Sequence, residues 1–371
     1  MKTQITLSGR DDYKKIHSIL SERKIKKLCV VQGKTKKFAE FQEFLQGLPI
    51  EMVTFSDFSS NPATTEVEKG IALFQKENCE GILAVGGGSA IDVAKGILCF
   101  HHLKPPYDFM KPDPQNGTYF IALPTTSGSG SESTPFSVLY KNKEKISLHH
   151  ELSLPDCVIL EPRFLVSLPL YQKKCTMLDA LCQSIESYWS VYATAESREL
   201  AKKGIRGVLQ YEKRYLNNEM TGLEGMMIAS NFSGQAIAIT KTTAPHAMGY
   251  GLTTTFGLPH GHSVSLGLAE VWGYMIEHIA DDTVERKTTD LQKVLDELEE
   301  LLVFPNGKKG LLGFRSFLAE LEIEKPIFTT EAEFLKICNS VNVDRLANHP
   351  MSLSEEALLQ LYENIIMKEG I

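Results

Sequence analysis

The sequence predicts a two-part α/β protein: a parallel-sheet domain over residues 1–164, then an all-helical domain over residues 165–371. Three observations lead there. Apolar runs alternate with helical patterns up to about residue 160. Two of those runs, GILAVGGGS and TYFIALPTTSGSGSES, end in loops of small residues. Strand signals then stop near Leu165, and helical patterns fill the rest of the chain.

The elements follow in order. KLCVVQG (27–33) is a continuous apolar run ending in glycine, as a strand buried on both faces reads. A helical pattern, KKFAEFQEFLQGL, comes next. EMVTFSDF is a second strand, followed by a helix from about Thr65 to Lys76. GILAVGGGS is a third strand, AIDVAKGILCF the helix after it, and TYFIALP a fourth strand. Strand–helix alternation implies right-handed crossovers and a parallel sheet. VLYKNKEKISLHH, with a polar centre, reads as a hairpin. Helical patterns then cover 170–192, 195–216, 221–240, 263–280, 283–302, 310–321, 331–339 and 354–368. The cleft between the two parts is the default site.

Composition excludes several roles. A net charge of −7 over 371 residues argues against nucleic-acid binding. The N-terminal stretch lacks the apolar core of a signal peptide. The longest apolar run is interrupted by Asp92 and Lys95, so no membrane span is expected. Seven cysteines without a CxxC pair fit reduced thiols in a cytoplasm. A homodimer is expected as the commonest closed assembly.

Three motifs carry chemistry. Gly86, Gly87, Gly88 and Ser89 lie between a strand end and a helix start, where unsatisfied N–H groups and the helix dipole suit a phosphate. Asp92 falls on the first turns of that helix. The alternative is a tight turn needing positive φ. The loop with Thr125, Thr126 and Ser129 ends a neighbouring strand at the same sheet edge, which strengthens a dinucleotide reading. On the pattern MLDALCQSIESYW, Asp179 and Gln183 are four apart and share a turn. A carboxylate on an apolar helix needs a partner, so the pair is either a polar contact at a helix end or subunit seam, or half of a metal site. Finally, APHAMGYGLTTTFGLPHGH holds His246, His260 and His262 among glycines and prolines, unlike a core helix. Asp179, His246 and His260 would make a two-His, one-carboxylate set with Gln183 adding an amide oxygen; structural histidines are the other reading.

The order GGGSAIDVAK, PTTSGSGSE, LDALCQSIES and HAMGY…LPHGH resembles the iron-containing (group III) alcohol dehydrogenase family over nearly the whole chain. The resemblance implies a Rossmann-like N-terminal domain, a helical C-terminal domain of dehydroquinate synthase-like architecture, and a divalent metal in the cleft. The metal would be Fe2+, with Zn2+ as an alternative. It also implies interconversion of aldehydes or ketones and alcohols with NAD(P)(H). The family's ligand positions map onto Asp179, Gln183, His246 and His260. Gln183 stands where most members have His, and an amide binds late transition metals more weakly than imidazole. Tyr250 stands where many members have a further His and is assigned to the catalytic group as a cleft-lining residue or proton donor. Lys241, beside Thr242 and Thr243, replaces a small residue and suits an anionic substrate group; a surface lysine on a loop is the other reading. With Gln183 and LPHGHSVSL, it resembles the phosphonoacetaldehyde reductase branch. Lys145, His149 and His150 would add positive charge if their hairpin faces the cleft; a hairpin facing solvent is the other reading. In many NAD-using members the strand matching CVVQGK ends in Asp. Here Gly33 stands there, followed by Lys34, Lys36 and Lys37, which favours NADPH over NADH. Rival readings are an ordinary alcohol or polyol dehydrogenase, a lyase of the dehydroquinate synthase type, and an inactive nucleotide-binding sensor or assembly subunit.

Overall fold

The computed structural model describes residues 3–33, 38–114, 117–142, 144–280, 291–328, 330–338, 341 and 343–368. Lys34, Lys36 and Lys37, and the first part of the helix expected over 283–302, lie outside them. The first half carries β1 (Ile5–Ser8), α1 (Ile16–Glu22), β2 (Lys27–Gln32), α2 (Ala39–Gln46), β3 (Glu51–Phe55), α3 (Thr64–Lys76), β4 (Gly81–Gly86), α4 (Gly88–Phe100) and β5 (Tyr119–Pro124). It closes with β6 (Phe136–Lys141), β7 (Glu144–His149) and β8 (Cys157–Leu160). Six strands form one parallel sheet in the order β1-β8-β5-β4-β2-β3, and β6 and β7 pair separately as the expected antiparallel hairpin.

Alternate residues of each central strand enter different cores. Leu28, Val30, Leu83, Val85, Ile121 and Leu123 pack with Tyr13, Ile16, Leu20, Phe41 and Leu45 from the α1/α2 side. Cys29, Val31, Ile82, Ala84, Phe120 and Ala122 pack with α3, α4 and the helical half. That is why these strands read as unbroken apolar runs: both faces are covered. β1 and β8 were not separately expected. Each is four residues long, too short for a periodicity to show.

The second half consists of α5 (Leu170–Trp189), α6 (Ala195–Leu216), α7 (Met220–Thr240), α8 (Ala244–Phe256), α9 (His260–His278), α10 (Leu291–Leu301), α11 (Gly310–Glu320), α12 (Glu331–Cys338) and α13 (Glu355–Ile365). β9 (Ile327–Phe328) and β10 (Met367–Lys368) form a short parallel pair. The architecture is therefore the parallel-sheet and helical pair expected, with one correction. The histidine stretch is not irregular: His246 lies in the first turn of α8, and His260 opens α9. Two of its glycines, Gly249 and Gly261, are there for packing. A Cβ on Gly249 would stand 2.9 Å from the Val264 side chain, so this glycine lets α8 lie against α9. Pro245 sits at the helix start, where its missing N–H costs no hydrogen bond.

A buried lysine ties the sheet half together. Lys95 donates to the Ser131 carbonyl (2.6 Å) and hydroxyl (3.2 Å), the Thr134 hydroxyl (3.2 Å) and the Phe136 carbonyl (2.7 Å). Burial pushes its pKa down to about 8. These bonds fix the loop between β5 and β6.

Candidate active site

The order of strands sets the cofactor side. From β2 the chain moves outward to β3, whereas from β4 it moves the other way to β5 and β8. The carboxyl ends of β2 and β4 thus flank a topological switch point, where open α/β sheets bind ligands. Gly33 and Gly86–Gly88 lie there. The Gly33 amide donates to the Val85 carbonyl (2.9 Å). Positive φ is not the reason for the triple glycine: none of Gly86, Gly87 and Gly88 has it. Close approach is. A Cβ on Gly86 would stand 2.5 Å from that of Ala90, and Cβ atoms on Gly87 and Gly88 would meet Thr126 (3.2 Å) and Ser129 (3.0 Å). The two small-residue loops therefore face each other, with the uncapped N-terminus of α4 between them. Thr125 pins its loop to β4 through a bond from its amide to the Gly86 carbonyl (3.0 Å). Ser89 donates its hydroxyl to the Ser60 carbonyl, so it offers a ligand its backbone. Asp92 accepts from the Ser131 hydroxyl (2.8 Å) and the Val138 amide (3.2 Å), so it shapes the second loop from below.

The helical half supplies a second cluster. Asp179, Gln183 and Glu186 share one face of α5, spaced by four and three residues, and all three are buried. One ligand atom each from Asp179, His246 and His260 lies within 4.8 Å of the others. Gly261 permits this. A Cβ there would stand 1.9 Å from the Cys175 carbonyl oxygen and 2.9 Å from the Asp179 amide nitrogen, so α9 begins directly against α5.

Two observations test whether a cation fits. Asp179 Oδ1 and His246 Nε2 are buried, 3.4 Å apart, and without a hydrogen-bond partner among the described residues. Such unpartnered buried polar atoms are costly unless something binds between them. The charge balance also calls for a cation. His246 Nδ1 is hydrogen-bonded to Glu186, so its other nitrogen is aimed at Asp179. Burial alone would lower the His246 pKa, but the charges of Glu186 and Asp179 raise it to about 9. Burial likewise works to raise Asp179, and the neighbouring His246 and His260 hold it below its ordinary value. The donor set of one carboxylate and two imidazoles, with a carboxylate behind one imidazole, fits a divalent metal.

Glu186 was not among the residues singled out from the sequence. Besides His246, it accepts from the Thr243 amide (2.7 Å) and hydroxyl (2.9 Å). Its spacing of seven from Asp179 on one helix was the available signal. Gln183 bridges the two clusters: its amide donates to the Ser129 carbonyl (3.2 Å), and its oxygen accepts from the Ser233 hydroxyl (2.9 Å). His262 lies apart. It takes Tyr171 on Nδ1 (2.7 Å) and the Glu324 carbonyl on Nε2 (2.7 Å). A carbonyl only accepts, so Nε2 carries the proton and the residue is a satisfied structural histidine.

The remaining residues line the approach. The Tyr250 ring stacks on His260, with centroids 4.8 Å apart at 22°. Lys241, exposed at the end of α7, has φ 57° and ψ −179°, a region normally left to glycine. The Thr240 hydroxyl donates to its carbonyl (2.9 Å). The Thr242 carbonyl accepts from Asn348 (3.2 Å), and Thr243 is buried beneath. No helix among the described residues is long and apolar enough to cross a membrane.

Comparison with known proteins agrees with this geometry. A family model described as iron-containing alcohol dehydrogenase matches residues 3–162, and its C-terminal counterpart matches residues 174–365. An aldehyde-alcohol dehydrogenase 2 of Entamoeba histolytica is 31% identical over 61% of this chain, and the match spans only 28% of that protein. A phosphonoacetaldehyde reductase of Streptomyces viridochromogenes is 28% identical over 74% of this chain and 69% of its own. The structure of a sulfoacetaldehyde reductase from Bifidobacterium kashiwanohense in complex with NAD+ superimposes with a TM-score of 0.86 at 24% identity, covering 98% of this chain and 97% of the other. The chain belongs to the iron-containing alcohol dehydrogenase family.

Proposed function

We propose that the protein is an NAD(P)H-dependent, metal-dependent reductase of a small aldehyde with an anionic head group, phosphonoacetaldehyde to 2-hydroxyethylphosphonate being the preferred case. The observation that carries the reading is Lys241. A cation is held in strained backbone five residues before His246, at the junction of α7 and α8. Strain of about 1–3 kcal/mol at a non-glycine residue is retained where the chain needs that side chain in place. The names of the Streptomyces and Bifidobacterium proteins, both reductases of two-carbon aldehydes with an acidic head, point the same way.

In this reading the amides of Gly86–Ser89 and the Thr125–Ser129 loop would hold the dinucleotide's pyrophosphate. Asp179, His246 and His260 would hold the metal, with Gln183 beside them tying that cluster to the Ser129 loop. When bound, the metal supplies Lewis-acid polarisation of the carbonyl oxygen and the nicotinamide supplies the hydride. Glu186 holds the His246 tautomer, Tyr250 walls the substrate side of His260, and Lys241 with Thr242 orients the head group. NADPH is the preferred donor, because Gly33, just after β2, brings no carboxylate to repel a 2′-phosphate.

The test follows nicotinamide absorbance with phosphonoacetaldehyde and with propanal. The expected result is a kcat/KM for the phosphonate roughly tenfold or more above that for propanal, about 1.4 kcal/mol or more of discrimination. Chelation should abolish both activities. Lys241→Ala should raise KM for the phosphonate and spare propanal. Equal turnover of the two aldehydes favours an ordinary alcohol dehydrogenase instead.

A further inference from the structure

The loop that faces the triple glycine has two sides. Thr126 and Ser129 are partly exposed and lie toward Gly87 and Gly88, whose added Cβ atoms would meet them. Ser127 and Gly128, between them, are buried and lie on α5 and α6. A Cβ on Gly128 would stand 2.8 Å from both the Cβ and the carbonyl oxygen of Thr176, so the loop rests directly on α5 there. The Ser127 hydroxyl donates to the Tyr215 hydroxyl of α6 (3.0 Å), and both residues are fully buried. The Tyr215 hydroxyl also lies 3.4 Å from that of Thr176, which donates to the Lys173 carbonyl (3.3 Å). Each hydroxyl has one proton to give, and that of Thr176 is committed to the carbonyl, so Tyr215 is the donor to Thr176. The run is one-way, from Ser127 through Tyr215 and Thr176 to the backbone of α5. Tyr215 is itself fixed by Lys173. That buried ammonium donates to the Tyr215 carbonyl (3.4 Å) and to the Asn218 side chain, and it lies 5.0 Å from the Tyr215 ring centroid.

We propose that Tyr215 is a positioning residue for the cofactor: it fixes the buried side of the Thr125–Ser129 loop, so that the open side keeps its distance from Gly86–Gly88. The proposal rests on the reading that this loop and these glycines hold the dinucleotide's pyrophosphate. Tyr215 touches neither cofactor nor substrate and acts through Ser127. A loop of small residues has many backbone states, so its shape has to be imposed by its neighbours. From the sheet half, the bond from the Thr125 amide to the Gly86 carbonyl (3.0 Å) holds its start. From the helical half, Tyr215 holds its middle. A phenylalanine at 215 would fill the same space but take away the acceptor of a buried hydroxyl. A buried donor that loses its acceptor is costly, and the loop can relieve that cost by moving Ser127. Any such movement changes the gap in which the phosphates are read. α6 supplies no residue assigned to metal or substrate, so the effect on nucleotide is separable from both.

The experiment compares Tyr215→Phe, Ser127→Ala, the double variant and Gly88→Val with wild type, all metal-loaded. It reads the Kd of NADPH and NADH by fluorescence titration, the nucleotide KM, kcat with the better of phosphonoacetaldehyde and propanal, metal content and thermal unfolding. Tyr215→Phe should raise nucleotide Kd and KM about three- to tenfold, hold kcat at saturation within about twofold, and leave metal content unchanged. Ser127→Ala should do the same to a smaller degree. The double variant should bind nucleotide no more weakly than Tyr215→Phe, because removing both hydroxyls leaves neither unpaired. Losses that multiply in the double variant overturn the proposal. So does a Tyr215→Phe enzyme in which nucleotide affinity, kcat and metal content fall together, since that is the behaviour of an ordinary core residue. Unchanged nucleotide affinity in Tyr215→Phe, with Gly88→Val raising Kd roughly tenfold, removes the role of Tyr215 and spares the cradle. Affinity that ignores both substitutions removes the cradle and Tyr215 together. Should Tyr215→Phe fail to fold, Ser127→Ala, which deletes one buried oxygen, decides by the same readouts.

Discussion

The proposed cofactor cradle and the candidate metal cluster solve different problems with different materials. The cradle is built from backbone: three glycines, an uncapped helix start and a facing loop of small residues, much of it partly exposed. The metal cluster is built from side chains on three helices, α5, α8 and α9, with Asp179, Gln183, Glu186 and His246 all buried. A dinucleotide has to arrive and leave, and its phosphates are read by amides at close range. A metal has to stay, and its geometry is held by groups locked behind the ligands. Gln183 and Ser129 join the two by a single hydrogen bond of 3.2 Å.

That contrast can be broken most directly at the ligands. Asp179→Ala or His260→Ala should lower kcat/KM by about a thousandfold or more, as expected where Lewis-acid activation is lost, with metal content by mass spectrometry falling in step. Nucleotide affinity should stay near wild type, and its collapse in these variants would mean the two clusters are not separable. Glu186→Gln comes next. It keeps the shape but removes the charge behind His246, and metal affinity by chelator competition should fall about 10- to 100-fold. Gly88→Val attacks the other side. Its Cβ would stand 3.0 Å from the Ser129 hydroxyl, closing the gap between the loops. Nucleotide Kd should rise roughly tenfold, about 1.4 kcal/mol, with metal content unchanged. Gln183→Ala should give the smallest effect. By removing the bridge it should weaken both ligands a few-fold, about 0.5–1.5 kcal/mol for a lost hydrogen bond. A loss confined to metal would make Gln183 a ligand rather than a bridge.

Much of this was legible in the chain. The unbroken apolar runs of β2, β4 and β5 announce strands covered on both faces, and the glycine loop announces a site at the end of β4. Other features were not legible for definite reasons. The α8 stretch reads as unlike a core helix because its histidines lie among glycines and prolines, although Gly249 serves contact with Val264. β1 and β8 are too short to carry a period. The place of Lys145, over the Tyr250 ring, depends on a hairpin folding over a helix more than a hundred residues later, which no local pattern reports.

By itself the sequence determined the α/β-then-helical order, the small-residue loop at the end of β4 and the identity of the side chains available to a metal, because each follows from local periodicity or residue chemistry. Tertiary structure alone decided which of those side chains meet. Gly261 lets α9 touch α5 and so brings His260 to Asp179, Glu186 turns His246 toward them, and Lys145 crosses from the sheet half to Tyr250. The reason is physical: convergence is set by how closely distant backbones can approach, and that is a property of packed surfaces, which spacing along the chain does not encode.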